Sequence, residues 1–439
     1  MLTDISKEKQ IGGFDMIDTF SLLQKYTGIS RYSQSEVITP KNIVSDMVDL
    51  LPQEVFNPDA TFFDPAVKSG RFLVEIYNRL MTSDLMKRAF PNEQDRHQHI
   101  LEKQLFGFAT SPTAATVARK SLYGDMLCNG NIRFASDKIT KESIQGVFNN
   151  MKFDVVIGNP PYNKGLDLDF VAKGFEMCKQ YTVMITPAKW QTADASQKVA
   201  SKMSYGDFRK QLVPHMRKVI YYAQTPEVFS IAMTEGISAY ILDKKQCFER
   251  CEVVNVCEVQ PAFNGTEVRD IRHTESLVNI GNEIFDYIKQ QECFSSFRFQ
   301  TRNDGEYQVW LTNMTNTGGG GNVAGIFSSR GSCMGLSVCR IVSKQNISEL
   351  GTQVKCIFSS NEEKICEYFV SWLNCRLTRF MVVITAKQTG ILNDYGFRFV
   401  PAPPSGKFDH IYTDAELYRD FHLPQKYIDV IEAVIKERK

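Results

Sequence analysis

The stretch FDVVIGNPPYNKG, Phe153 to Gly165, decides how the rest of this 439-residue chain is read. An apolar run leads into Gly158, and Asn159, two prolines and Tyr162 follow at once. A buried strand that ends this way leaves its sheet in a rigid extended turn, because each proline fixes φ and gives up an N–H. In a parallel sheet, ligands sit at the carboxyl ends of strands, near the point where strand order reverses. There the Asn159 side chain and the Pro160 carbonyl can face one way as two acceptors, with Tyr162 lying against a planar ring. The complementary ligand is an amino group on a planar heterocycle, or a side-chain amide. Asn-Pro and Pro-Pro are also ordinary turn formers, so a plain surface turn is the competing reading of these four residues alone.

Around this stretch, ATFFDPA, KQLFGFAT, YTVMITPA, KVIYYAQ and GISAYILDKK each read as a buried strand that stops at a turn. GRFLVEIYNRLM and TAATVARKSLYG space apolar residues every three or four positions, as helices do, and PKNIVSDMVDLLP reads as a helix between Pro40 and Pro52. Strand–helix alternation of this kind predicts an α/β domain with a largely parallel sheet. After about Lys245 the pattern changes, and the expected domains are 1–250 and 251–439. The final stretch, TDAELYRDFHLPQKYIDVIEAVIKERK, reads as two short helices, the second with Ile428, Ile431, Val434 and Ile435 on one side.

FFDPAVKSGRFL, Phe62 to Leu73, is a second strand, turn and helix start. Gly70 can let the backbone approach a ligand, and the helix beginning near Arg71 directs free N–H groups at it. No GxGxxG is present, Lys68 stands where a nucleotide-binding loop often has glycine, and no GK[ST] follows to make a P-loop. The turn suits a cofactor with a carboxylate and an adenosine better than one with a pyrophosphate.

Composition narrows the class. Hydrophobic content of 43% and charged content of 23% fit an ordinary globular protein, and the net charge of +1 does not announce nucleic acid. No run approaches the roughly 20 apolar residues of a membrane span, and MLTDISKEKQ lacks a signal-peptide core. These features predict a cytoplasmic protein without membrane association. The 11 cysteines are scattered without a CxxC pair, which predicts reduced core thiols and no metal site.

The ordered set of segments resembles the N6-adenine DNA methyltransferases of restriction–modification systems, in the branch whose cofactor motifs precede the target-recognition region. SEVITPKNIVSDMVDLL resembles the motif whose Thr-Pro pair, here Thr39 and Pro40, contacts the methionine end of S-adenosylmethionine. DPAVKSGRFL resembles the cofactor loop, which gives Asp64, Pro65, Ala66 and Gly70 as cofactor-binding residues. NPPY resembles the catalytic signature, formed here by Asn159, Pro160, Pro161 and Tyr162. TPEVFSIAMTEGISAYILDKK resembles the wall of the adenine pocket, with Phe229 against the flipped base. ILNDYGFRFVPAP through FDHIYTDAELY resembles carboxy-terminal segments of the same branch.

The resemblance implies a Rossmann-like S-adenosylmethionine-dependent domain followed by an α+β target-recognition domain. It also implies transfer of a methyl group to a flipped-out adenine of double-stranded DNA. An acid that often follows the second strand is replaced by Ala109, with Thr110 or Ser111 as weak substitutes. A later acid that contacts the cofactor's adenine is replaced by Asn131, unless Asp125 takes that role. Two other readings stay open: a catalytically degenerate DNA-binding subunit, and an N-methyltransferase of RNA or of protein glutamine. Residues 1–35 are too few for a nuclease domain, so the chain reads as a modification component, with a cognate restriction endonuclease as a possible partner, or as a solitary methylase. His97 and His99 read as solvated helix residues, Thr315–Asn322 as a flexible loop, and Trp372 and Phe380 as core. Arg330, Arg340, Lys344, Arg376, Arg379 and Lys387 are either phosphate contacts or ordinary surface charge.

Overall fold

The structure, a computed structural model, describes residues 37–437 except 110, 125–129, 135–145, 163–164, 192, 194, 196–201, 224, 230–235, 259–260, 274–280, 299–303, 313–338, 350–353, 390–396 and 436. Asp125, Thr110 and the glycine-rich Thr315–Asn322 segment therefore lie outside the described residues. The chain divides into two compact units. One comprises Met1–Thr186, Lys198–Val219 and Ala239–Glu249; the other comprises Pro187–Gln197, Ile220–Ser238 and Arg250–Lys439.

The first unit carries β1 (Phe62–Val67), β2 (Leu105–Ala109), β3 (Asn131–Arg133), β4 (Phe153–Gly158) and most of β5 (Cys178–Pro187), and the unit bounds divide β6 (Met216–Tyr222) and β7 (Ile237–Asp243). Their order is β3-β2-β1-β4-β5-β7-β6, and the pairs from β3 through β5 are parallel. Every residue of β1, β2 and β4 is buried, as expected of strands covered on both faces. Helices Arg71–Thr82 and Pro112–Tyr123 bury the apolar stripes that their spacing foretold. The fold is thus mixed α/β with a largely parallel sheet. Strand order runs outward from β1 to β2 and β3 on one side and from β4 to β5 on the other, so the switch point lies between β1 and β4. No helix among the described residues is long and apolar enough to cross a membrane.

At the amino ends of β1, β4 and β5, one carboxylate ties the three strands together. Asp154 accepts from Thr61 N at 3.0 Å, Thr61 Oγ1 at 2.8 Å and Gln180 Nε2 at 3.2 Å, with Lys179 Nζ at 3.4 Å. Thr61 Oγ1 in turn takes the Asp154 amide at 3.1 Å. Beside this network, Phe63 stacks on Phe153 at 4.4 Å, and Phe106 and Phe148 meet the same ring edge-on or tilted.

His97 departs from the solvated reading: it is 3% exposed and hydrogen-bonds Tyr77 OH at 2.7 Å. His99 is half-buried against the Pro58 carbonyl at 2.9 Å. The histidines fill gaps between helices that sequence spacing does not reveal.

The second unit holds the antiparallel pair β8 (Cys251–Val256) and β9 (Gly265–Arg269). It also holds a three-stranded antiparallel sheet of β10 (Tyr307–Thr312), β11 (Cys339–Ser343) and β12 (Val354–Ser360), ordered β11-β10-β12. Helices Glu363–Asn374, Arg376–Thr389 and Gln425–Val434 pack into one apolar core in which Trp372 and Phe380 are fully buried. Arg379 is also fully buried, and Arg376 is paired with Asp414, Glu432 and Glu437. Neither arginine is placed to meet a phosphate, because burial and carboxylate partners already claim them.

Burial pushes the Asp154 carboxyl upward, but its hydrogen bonds from Thr61 and Gln180 and the Lys179 charge outweigh that and hold it below the usual range. A depressed folded-state pKa gives stability that is present above the unfolded value of 3.8 and is lost as pH falls. Asp154→Ala leaves the Thr61 donors without their acceptor and should cost about 1–3 kcal/mol in urea unfolding at pH 7. The gap between wild type and variant should narrow as the pH falls below 3.8, and a gap independent of pH would refute this role.

Candidate active site

The switch point between β1 and β4 collects most of the predicted residues. β1 carries Asp64, Pro65 and Ala66, and its parallel partner β4 ends at Gly158 next to Asn159. A Cβ on Gly158 would lie 2.8 Å from Asp64 Oδ1, so glycine is what lets the carboxylate sit across the strand end. Asp64 is 3% exposed and accepts one hydrogen bond, from Ala66 N at 3.0 Å. Burial dominates its titration and pushes the carboxyl up to about 7, against the lowering effects of the Ala66 amide and the Lys68 charge. It is therefore poised between neutral and charged near physiological pH.

Gly70 caps the helix Arg71–Thr82 in the left-handed region at φ 81°. A Cβ there would also meet the Ala118 backbone at 3.3 Å. Turn geometry and helix packing thus require this glycine whether or not a ligand approaches. Lys68 and Arg71, from the turn and the first helical residue, reach back to the segment before Pro40. Lys68 Nζ donates to the Val37 carbonyl at 3.1 Å and Arg71 donates to the Thr39 carbonyl at 3.0 Å. The sequence reading counted Lys68 only as a missing glycine; its partner is 31 residues earlier, and no local signal reports it.

That strap sets Thr39 against the catalytic signature. Asn159 is 4% exposed, and its Nδ2 donates to Thr39 Oγ1 at 3.1 Å across 120 residues of sequence. With the amide nitrogen committed, Asn159 Oδ1 is buried without a hydrogen-bond partner among the described residues. Pro160 is buried and Pro161 and Tyr162 are half-buried. Tyr162 OH donates to the Ile185 carbonyl near the carboxyl end of β5 at 3.3 Å. Burial, then the nearby Asp167 and Tyr240, raises its hydroxyl well above the ordinary value, so it stays a neutral donor. Thr39, Asp64, Ala66, Lys68, Gly70, Arg71 and Asn159 line one small cavity of about 20 Å³, which is room for roughly one water.

Asn131, Ser111 and Ala109 have other roles within the first unit. Asn131 is a correction: it pairs with Phe106 at the amino end of β3, whereas the cavity lies at the carboxyl ends of β1 and β4. Its side chain donates to the Glu102 carbonyl at 2.8 Å and its amide N–H to Tyr123 OH at 2.9 Å. Ser111 is spent as an N-cap, accepting from Ala114 N at 3.1 Å, and Ala109 is the fully buried last residue of β2. Phe229 belongs to the second unit, where it is 2% exposed and its amide bonds Thr225 O at 2.7 Å.

Comparison with known proteins was made against this geometry. Residues 18–196 match the family model described as N-6 DNA Methylase. A protein of Mycoplasma pneumoniae described as an uncharacterized adenine-specific methylase is 26% identical over a match covering 37% of this chain and 57% of the relative. The chain thus spans little more than half the length of that relative. Among solved structures, the type I restriction–modification methyltransferase subunit of Streptococcus thermophilus is 17% identical with a TM-score of 0.40, over 60% of this chain and 56% of that one. The M protein of the type I restriction enzyme EcoKI is 15% identical with a TM-score of 0.39, over 76% of this chain and 68% of that one. Residues 18–196, less than half of the chain, contain the Thr39–Asn159 tie, the Asp64 turn and the NPPY signature, and it is through them that the chain is similar to the N-6 DNA methylase family.

Proposed function

We propose that this protein is a site-specific adenine-N6 DNA methyltransferase that uses S-adenosylmethionine, working as the modification component of a restriction–modification system or as a solitary methylase. The observation that supports the reading is the buried Asn159 Oδ1, which has no partner among the described residues while its amide nitrogen is bonded to Thr39. A buried acceptor without a donor costs stability unless a ligand supplies one. An adenine amino group does so: one hydrogen goes to Asn159 Oδ1 and the other to the Pro160 carbonyl. The nitrogen lone pair is thereby drawn out of conjugation and aimed in one direction. A target adenine reaches this point only outside the stack, at a cost of a few kcal/mol. Tyr162, anchored through its hydroxyl to Ile185, supplies a ring face that offsets roughly 1–3 kcal/mol of it.

The donor set around the cavity fits the amino-acid end of the cofactor. Asp64 offers a carboxylate for an ammonium group, and Lys68 and Arg71 put positive charge on the same wall. The cavity itself is far smaller than the whole cofactor, so it represents only that end. The cofactor, when bound, supplies an activated methyl group; the chain's own task is to position, desolvate and hydrogen-bond the acceptor nitrogen. With Asn131 at the amino end of β3, we assign the contact to the cofactor's adenine to Asp125, the other acid that the family resemblance offers. Double-stranded DNA as partner, the role of the second unit in target recognition and the existence of a cognate endonuclease belong to the same proposal.

Radiolabelled S-adenosylmethionine with mixed duplex DNA should place label on N6-methyladenine. Asn159→Ala should lower the rate by about 100-fold or more while the protein stays folded, because a preorganised hydrogen-bond acceptor is lost. Label on RNA or protein, and none on DNA, would transfer the chemistry to the second enzyme reading; cofactor binding with no transfer at all would support the degenerate subunit.

Ionised Asp64 is the form that pairs with an ammonium group, and its carboxyl titrates at about 7. Affinity for S-adenosylmethionine, measured by calorimetry, should therefore rise between pH 6 and 8, and Asp64→Asn should flatten the profile. In the ligand-free protein the sign is opposite. The folded carboxyl near 7 holds a proton that the unfolded group, at 3.8, has lost, so stability falls as pH rises from 3.8 to about 7 and levels off above that.

Asp125→Ala should weaken cofactor binding by about tenfold, whereas Asn131→Ala should leave it within about twofold. Equal losses in both would restore Asn131 to the site.

A further inference from the structure

Two groups of opposite sign line the cavity at the switch point: the Asp64 carboxyl and, in the turn that follows β1, the Lys68 ammonium. They lie close enough that the lysine charge counts among the causes that set the titration of Asp64. Lysines on turns ordinarily reach into solvent, but Lys68 is 7% exposed. Its Nζ donates to the Val37 carbonyl at 3.1 Å, so the side chain runs inward to the strap. A glycine at this position, as nucleotide-binding loops often have, could offer only a backbone N–H; the lysine adds a charge.

Taking an ammonium out of water is costly, and a carbonyl dipole compensates it less than a full negative charge does. Asp64 supplies such a charge only in part at neutral pH, since its carboxyl titrates at about 7. The bond to Val37 fixes where the ammonium stands; an ammonium has three donors, so that bond does not by itself exhaust it. Asp64 and Lys68 thus present a carboxyl and a cation to one small space, the pattern complementary to a zwitterionic amino-acid head.

Arg71, the other cation of this wall, is less suited to the task. It donates to the Thr39 carbonyl at 3.0 Å, and Thr39 in turn holds the Asn159 amide. Drawing Arg71 toward a ligand would disturb the residue that orients Asn159, whereas Lys68 holds the strap at Val37, two residues earlier.

We propose that Lys68 recognises the carboxylate of the cofactor's amino-acid end and makes the site selective for ligands that carry one. The inference rests on the cofactor reading given above and adds a specificity-determining residue to it. Asp64 takes the ammonium of the same head, so the two side chains read the two ends of a single zwitterion.

S-adenosylmethionine and its decarboxylated form differ by this one group. Calorimetry of the full chain with each, at about pH 8 where Asp64 is ionised, measures the selectivity directly. Wild type should bind S-adenosylmethionine about tenfold or more tightly than the decarboxylated form, which lacks the hydrogen bond between charged groups. Lys68→Met should bring the two affinities within about twofold by weakening S-adenosylmethionine alone, and Lys68→Arg should keep most of the preference. Retained binding of the decarboxylated form shows that Lys68→Met is folded at the site. An unchanged preference in Lys68→Met would overturn the proposal. So would equal losses for both ligands, the mark of a lysine that only ties the strap. Wild type that binds both forms equally well would overturn it and leave the methylase reading intact; wild type that binds neither removes both.

Discussion

The hydrogen bond from Asn159 Nδ2 to Thr39 Oγ1 is the constraint on which the site depends. An isolated asparagine side chain can present either its oxygen or its nitrogen. Here Thr39 Oγ1 takes the nitrogen, and the oxygen is left as a buried acceptor with no partner among the described residues. The threonine is itself immobilised, because Arg71 holds its carbonyl and Lys68 holds the carbonyl of Val37. The strap therefore ties the turn after β1 to the turn after β4, and both turns take their places from the parallel register of those two strands.

Opposite ends of the same strands carry different duties. At the amino ends, Asp154 is ionised, multiply hydrogen-bonded and structural. At the carboxyl ends, Asp64 is buried with a single backbone donor, and its proton is held to about pH 7. Two aspartates of one sheet are driven in opposite directions by what each finds around it. The first stabilises the sheet at neutral pH, whereas the second destabilises the empty fold there and is kept available for a positively charged group.

Much of this was legible in the residues. Six of the seven strands from β1 to β7 announced themselves as apolar runs broken by turn formers, and the two main helices as apolar residues at helical spacing. β3 gave no such signal, since three residues are too few for a pattern and its extent is defined by pairing with β2. The same shortness misplaced Asn131. A polar residue beside a three-residue strand can belong to either end, and only the register with Phe106 decides which. His97 and Arg379 misled for a related reason: each is polar by type but buried by partners or packing distant in sequence.

By itself the sequence determined the chemistry on offer: the NPPY turn at a buried strand end, the Asp64 turn, the Thr39–Pro40 pair and the class of sheet that carries them. These are local matters, set by proline geometry, glycine freedom and the alternation of apolar residues. The tertiary structure alone decided which of those groups meet, which way the Asn159 amide faces, that Asp64 is buried deeply enough to hold its proton, and that Asn131 stands at the far end of its strand. Each depends on contacts between residues tens to more than a hundred positions apart, and such contacts exist only once the strands have taken their register.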